Sequence, residues 1–395
     1  MPTLPTGPAT RVLAACAALA SLALMSADTG MDVQASGGAR AVAGPGGVRA
    51  GMAASEGTGR RAQLNPPRDV YVVRMAPRGY AADPEATPEA ITRAVEGASD
   101  YWSEQTRGAV SFRVASVSDW VASPSGCGDP SALWAEALEL VPEAAGPHTH
   151  LVVVAPRAAG EESTGCDYGF GSLGVLDSGG STYVTALHPE LLAHELGHNL
   201  GLGHAGALEC GTAQDGRYSA GAWQRGCVVR EYDDLFDVMG YSGEGFGGGY
   251  LGVVGIDALG VDPEGIRVVR EAESGVRVLP LSQVGRGVRG LRIEVPGEPV
   301  HYVEYRTAAG RDAGLARGPW RPATGVRILR LDPAKGAGGG LDGDGLELDA
   351  TPGGRRYDRA LPAGQRFSSA SGRVQITVRG QDSSGATLDV EITGP

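Results

Sequence analysis

The sequence predicts an α/β domain built on a mostly parallel, twisted sheet, followed by an all-β, sandwich-like domain. Three observations lead there. Between residues 69 and 155, strand-like alternation and helical periodicity take turns in the order β-α-β-α-β, as in a parallel sheet with helices packed on it. From residue 266 onward only short alternating runs remain, separated by Gly, Pro and Asp turns. The length, 395 residues, is enough for two domains and a sizeable core.

Taken in order, the chain opens with Arg11 and a mostly apolar run over residues 12–25, closing on Ser26-Ala27-Asp28. That run is too short to span a bilayer comfortably and suits a signal peptide over residues 1–27, cleaved near Ala27. Leu13-Ala14-Ala15-Cys16 is also a lipoprotein-type box, a second reading because almost no hydrophobic segment precedes it. Residues 28–66 are Ala, Gly, Ser and Arg with few large apolar side chains, so they read as a flexible propeptide or spacer. Arg60-Arg61 within it is either a processing site or a chance pair.

Residues 69–75 (DVYVVRM) alternate and are rich in β-branched side chains, which predicts a first strand. Thr87-Pro88-Glu89 then supplies a cap, a first-turn proline and an early acid. Ile91, Ala94, Val95, Ala98, Tyr101 and Trp102 continue at helical spacing until Gly108. A second strand is expected over 110–117, a second helix over 130–140 and a short buried strand over 150–155. Residues 169–175 (GFGSLGV) read as an edge strand thinned by glycine, or else as a glycine-rich loop, with another strand over 182–186. Pro189 starts a further helix, whose Leu192, Leu196 and Leu200 form the core-facing stripe.

That helix carries HELGHNLGLGH, residues 194–204. His194 and His198 are one turn apart on one helix face, placed to offer two imidazole nitrogens to a single zinc ion. Gly201 can take φ > 0 and end the helix, so that His204 returns as a third ligand. Three protein ligands leave the open position of a catalytic zinc site. Glu195, beside the first ligand, is placed to deprotonate a water that the metal has acidified. Downstream, Asp237-Val238-Met239-Gly240-Tyr241 suits a tight turn, in which Met239 taken alone reads as an ordinary core methionine. A short helix within residues 250–259 closes the domain, whose boundary is set near Asp262-Pro263. Residues 67–262 are thus the α/β domain and 263–395 the β-rich one.

The net charge is −12 and there are no basic runs, which argues against a nucleic-acid partner. No stretch after the leader looks transmembrane. Four cysteines remain beyond Cys16, namely Cys127, Cys166, Cys210 and Cys227. In an exported chain they suggest two disulfides; three pairings exist, with the nearest neighbours 127–166 and 210–227 favoured. The tail also holds Asp342-Gly343-Asp344-Gly345 with Glu347 and Asp349. This reads first as a solvated acidic turn and second as a calcium site, since it lacks the EF-hand spacing.

HExxHxxGxxH followed by a methionine turn resembles the metzincin superfamily of zinc endopeptidases. HELGHNLGLGHAG and YDDLFDVMG, with the paired cysteines and the β-rich tail containing HYVEYR, are most similar to its gametolysin-like branch. The resemblance covers residues 67–262. It implies zinc held by His194, His198 and His204, Glu195 as general base, and Met239 as the floor of the site. It also implies that the strand containing Gly171, Ser172, Leu173 and Gly174 pairs with an extended protein or peptide substrate. Tyr241 stands where astacin-like and serralysin-like enzymes place a tyrosine near zinc, either as an oxyanion donor or as a packed turn residue. Ala205 departs from the Asp, Glu, Ser or Pro that follows the third histidine in the best-known branches. The expected function is therefore a secreted zinc endopeptidase. A secreted binding protein, with a structural zinc or a glycan-binding β-domain, is the alternative.

Overall fold

A computed structural model describes residues 65–157, 169–241, 248–318, 320–334 and 344–394. The leader with Cys16, the Arg60-Arg61 pair, Cys166 and Asp342-Gly343 lie outside those residues.

Strand β1 (Arg68–Ala76) lies inside its sheet, with Val70, Val72 and Val73 fully buried. Helix α1 (Pro88–Gln105) begins where expected: the Thr87 hydroxyl accepts from the Ala90 N–H at 3.2 Å and Pro88 fills the first turn. Next come β2 (Phe112–Ala122) and α2 (Pro130–Leu140), the latter capped by the Asp129 carboxylate on the Ala132 N–H at 3.0 Å. Strands β3 (Thr149–Val154), β4 (Gly169–Gly171) and β5 (Gly180–Val184) lead into α3 (Pro189–Asn199). Their sheet has the order β2-β1-β3-β5-β4. Every pair is parallel except β5 with the edge strand β4. Alternation sends Val70, Val72, Val152 and Val154 to the face covered by α1 and α3. Val73, Met75, Leu151 and Val153 meet Leu133 and Ala137 of α2 on the other face.

The remaining elements are mostly strands: β6 (Ala205–Glu209), β7 (Tyr218–Ser219), β8 (Ala222–Trp223), β9 (Val228–Arg230), α4 (Val253–Leu259), β10 (Ile266–Val269), β11 (Glu273–Val278), β12 (Gly290–Ile293), β13 (His301–Arg306), α5 (Asp312–Arg317), β14 (Gly325–Leu331), β15 (Gly345–Leu348), β16 (Arg366–Ser368), β17 (Val374–Asp382) and β18 (Gly385–Ile392). They make a seven-stranded sheet, β10-β12-β13-β14-β15-β6-β9, and a four-stranded sheet, β11-β18-β17-β16. Leu291, Val303 and Ile328 of the first share one core with Val278, Ile376 and Leu388 of the second. The chain is thus mixed α/β with a β-rich C-terminal region.

Several boundaries differ from expectation. The second strand runs on to Ala122, while β4 ends at Gly171 and leaves residues 172–175 outside any strand. Asp262, beside which the domain boundary is expected, is 2% exposed and paired with Arg289 at 2.5 Å and Arg107 at 3.0 Å. Moreover β6 and β9, which precede residue 262, belong to the same sheet as β10 and β12–β15, which follow it. Residues 60–395 cluster as one compact unit.

The Cys210–Cys227 disulfide forms as expected and encloses the small β7–β8 hairpin. Cys127 is disulfide-bonded as well, and its expected partner Cys166 lies outside the described residues. Among the described residues no helix is long and apolar enough to cross a membrane.

Candidate metal centre

Helix α3 ends in a Schellman motif. The Leu202 N–H reaches the Gly197 carbonyl at 3.0 Å and the Gly201 N–H reaches the His198 carbonyl at 2.9 Å, with Gly201 at φ 99°. Glycine is needed there because a side chain at that φ clashes with its own backbone. The chain reverses over Gly201 and brings His204 back to His194 and His198. Ring centroids are 4.9 Å (194–198), 5.6 Å (194–204) and 4.7 Å (198–204) apart. One ligand nitrogen from each lies within 4.8 Å of the others, a group that could hold a metal ion.

The tautomers suit that use. His194 Nδ1 is 2.8 Å from the Val238 carbonyl and His198 Nδ1 is 2.8 Å from the Leu202 carbonyl. A carbonyl can only accept, so each Nδ1 carries the proton and each Nε2 presents a lone pair. Burial pushes His194 down to about 3, with the neighbouring His198 adding to it; burial also lowers His198, against its bond to Leu202 and the Asp344 charge. Both rings are therefore neutral near pH 7, the form that ligates metal. The donor set fits zinc by its chemistry.

Glu195 is 4% exposed, and burial pushes its carboxyl up to about 8. A cation on the three histidines would act against that rise, since opposite charge favours the carboxylate. Strand β4 crosses directly over this part of the helix. A Cβ on Gly169 would stand 2.3 Å from Glu195 Oε1, one on Gly171 2.4 Å from the Glu195 carbonyl, and one on Gly174 2.3 Å from the Asn199 carbonyl. Glycine is thus the condition for the edge strand to lie against α3. Phe170, Leu173 and Val175 beside it are about half exposed, and Phe170 stacks on Trp134 at 5.5 Å.

Met239 lies under the helix: a Cβ on Gly197 would meet its Sδ at 2.4 Å. Its carbonyl accepts from the Ala205 N–H at 2.8 Å, so the turn grips both His194 and the strand after His204. Tyr241 is 51% exposed, and its N–H donates to the Tyr232 carbonyl at 2.9 Å. Tyr232 is the aromatic beside the histidines, 4.2 Å from His204 and 6.2 Å from His194 between ring centroids. It adopts φ 59° in a turn, a left-handed backbone conformation that bulky side chains seldom take. Sequence reasoning passed over Tyr232, because a tyrosine in an acidic loop has no pattern that marks it.

Asn199, inside the motif, was missed too. Fully buried, its Nδ2 donates to the carbonyls of Ser172 at 2.9 Å and Ser181 at 3.1 Å, fastening α3 to β5 and the residues after β4. Its Oδ1 receives His150 Nδ1 at 3.1 Å. Burial pushes His150 down to about 4, aided by the charges of Arg68 and His148 and opposed by the Asn199 bond. Between pH 6.5 and 4 the unfolded chain therefore binds a proton at His150 that the folded chain refuses, and stability falls as pH falls. From pH 7 to 5 this group is expected to cost about 2 kcal/mol. Urea unfolding at both pH values checks it: His150→Gln should show that much less acid sensitivity than the wild type, and equal slopes would refute it.

In the acidic run of the tail, the described carboxylates Asp344, Glu347 and Asp349 each have partners within the protein. Glu347 is paired with Arg327 at 2.7 Å and Arg359 at 3.5 Å. Asp344 accepts from the His204 N–H, and Asp349 from the Thr351 N–H.

No family model matches the chain, and no curated protein matches it. Among solved structures, one titled "Structure of a chaperone-substrate complex" is similar at 13% identity and a TM-score of 0.24, over 40% of this chain. The similarity spans 27% of that protein's own length.

Proposed function

We propose that the chain is a secreted zinc endopeptidase of the metzincin type, nearest its gametolysin-like branch, that cuts extended polypeptides. The observation that carries this reading is the three-histidine group with Glu195 beside it, under the edge strand β4. Three histidines are the number that open, catalytic zinc sites use, whereas structural sites take four protein ligands. The disulfide Cys210–Cys227 accords with export.

Zinc, when held by His194, His198 and His204, would supply Lewis acidity to the scissile carbonyl and lower the pKa of water. Glu195 takes a proton from the attacking water at its carboxylate and returns it to the departing amine nitrogen. The open edge of β4 binds substrate backbone as an added strand, with Gly171 pairing and Ser172, Leu173 and Gly174 extending the contact. Exposed Phe170, Leu173 and Val175 offer apolar contact to substrate side chains. Tyr232, whose ring lies 4.2 Å from that of His204, takes the oxyanion-donor part otherwise given to Tyr241.

The test is cleavage of casein by the purified chain, with and without a zinc chelator and with His204→Ala. Cleavage that the chelator abolishes, and a His204→Ala variant that loses its zinc, are expected. A zinc-loaded chain that leaves casein and other unfolded proteins intact would sink the reading. In the same assay Tyr232→Phe should slow turnover and Tyr241→Phe should not; the reverse result would restore Tyr241 to the role.

A further inference from the structure

His204 differs from the other two histidines in having no helix to hold it. It follows the Schellman turn, in three residues of irregular chain before β6 begins. Its peptide groups are instead held from the far end of the sequence. The His204 N–H donates to Asp344 Oδ1 at 2.9 Å, across 140 residues. Its carbonyl accepts from the Gly345 N–H at 2.9 Å. From there β15 continues in parallel register with β6, Gly345 opposite Ala205 through Leu348 opposite Leu208.

We infer that Asp344 is a positioning residue for the metal centre, fixing the backbone of His204 so that its imidazole meets those of His194 and His198. The inference rests on reading the three histidines as a zinc site and not on proteolysis. A carboxylate accepting a backbone N–H makes a charge-assisted bond, stronger than the neutral bond of a turn. It acts on an atom of the ligand residue itself, so its loss lets the third donor wander while the two helical donors stay put. Helix α3 cannot do this, because it ends at Asn199. In this reading the C-terminal sheet completes the metal site; it does not merely trail the α/β domain.

The experiment is zinc affinity of the full chain, by competition with a chromophoric chelator, in the wild type and in Asp344→Ala, Asp344→Asn and Asp344→Glu. Loss of such a supporting group ordinarily weakens metal binding about 10- to 100-fold, and Asp344→Ala is expected to fall in that range. Asp344→Asn keeps an acceptor oxygen in the same place and should stay within about threefold of the wild type. Asp344→Glu sets the carboxylate one methylene further out and should resemble alanine. Melting in excess chelator separates positioning from folding: the metal-free variants should melt close to the metal-free wild type. If Asp344→Ala does not fold, the Asn and Glu variants decide, and any order other than Asn tighter than Glu overturns the proposal. Undiminished affinity in a folded Asp344→Ala overturns it too. A wild-type chain that takes up no zinc would sink the metal reading itself, and this inference with it. A chain that binds zinc with the expected order of variants but cleaves nothing would sink the protease reading alone.

Discussion

Arg327→Leu is expected to destabilise the fold by about 3–5 kcal/mol, the range for removing one partner of a buried ion pair. The guanidinium is fully buried and reaches Asp234 at 2.6 Å, Glu304 at 2.7 Å and Glu347 at 2.7 Å. Its removal leaves those carboxylates short of a counter-charge in a place water does not enter. The damage would spread, because Asp234 and Glu304 hold backbone as well. Asp234 accepts from the N–H groups of Phe236 and Asp237, and Glu304 accepts from Val253. Asp237 in turn accepts from Met239 at 2.9 Å and Gly252 at 2.7 Å, with its carboxyl pushed up by burial and by the Asp234 charge. The methionine turn thus hangs from an ionic core in the C-terminal sheet. Urea unfolding at pH 7 measures the loss, and a change below about 1 kcal/mol, the scale of an exposed pair, would show that the network is not what holds the turn.

Glu195→Gln is expected to reduce casein cleavage by about 10²–10⁴-fold, the usual contribution of a general base. The amide is nearly the same size, so it fits beneath Gly169 without a new contact, but it cannot take the proton. Zinc content should be unchanged, since the histidines keep their carbonyl partners at Val238 and Leu202. Zinc assay and turnover on the same preparation decide the matter. Normal cleavage by this variant would remove Glu195 from the mechanism, and loss of zinc would mean that it supports the metal.

Local signals carried much of this into view before any coordinates. Thr87-Pro88, the stripe of Leu192, Leu196 and Leu200, and the glycine after the second histidine each act over one or two helical turns. The spacing of HELGHNLGLGH therefore predicted which histidines meet. What stayed hidden was long-range. The strand runs HYVEYR and GVRILRL alternate as if Arg306 and Arg327 faced water. Both are fully buried: Arg327 meets Asp234 from a distant segment, and Arg306 meets Asp312 at the start of the helix that follows its strand. Strand β15 was read as part of an acidic turn, since a four-residue strand flanked by Asp and Gly declares itself only once β6 and β14 lie on either side. The boundary near residue 262 rested on a change of texture, and texture says nothing about which strands pair.

The parallel pairing of β15 with β6 also sets a timetable. Closing a loop of 140 residues is entropically slow, and a contact so distant in sequence forms late. A chain emerging from the ribosome or an export channel folds from its N-terminal side as it appears. The helix bearing two histidines can dock on its sheet while the third still lacks its support. Assembly order alone would then keep the three-histidine group unfinished until almost all of the polypeptide has been delivered.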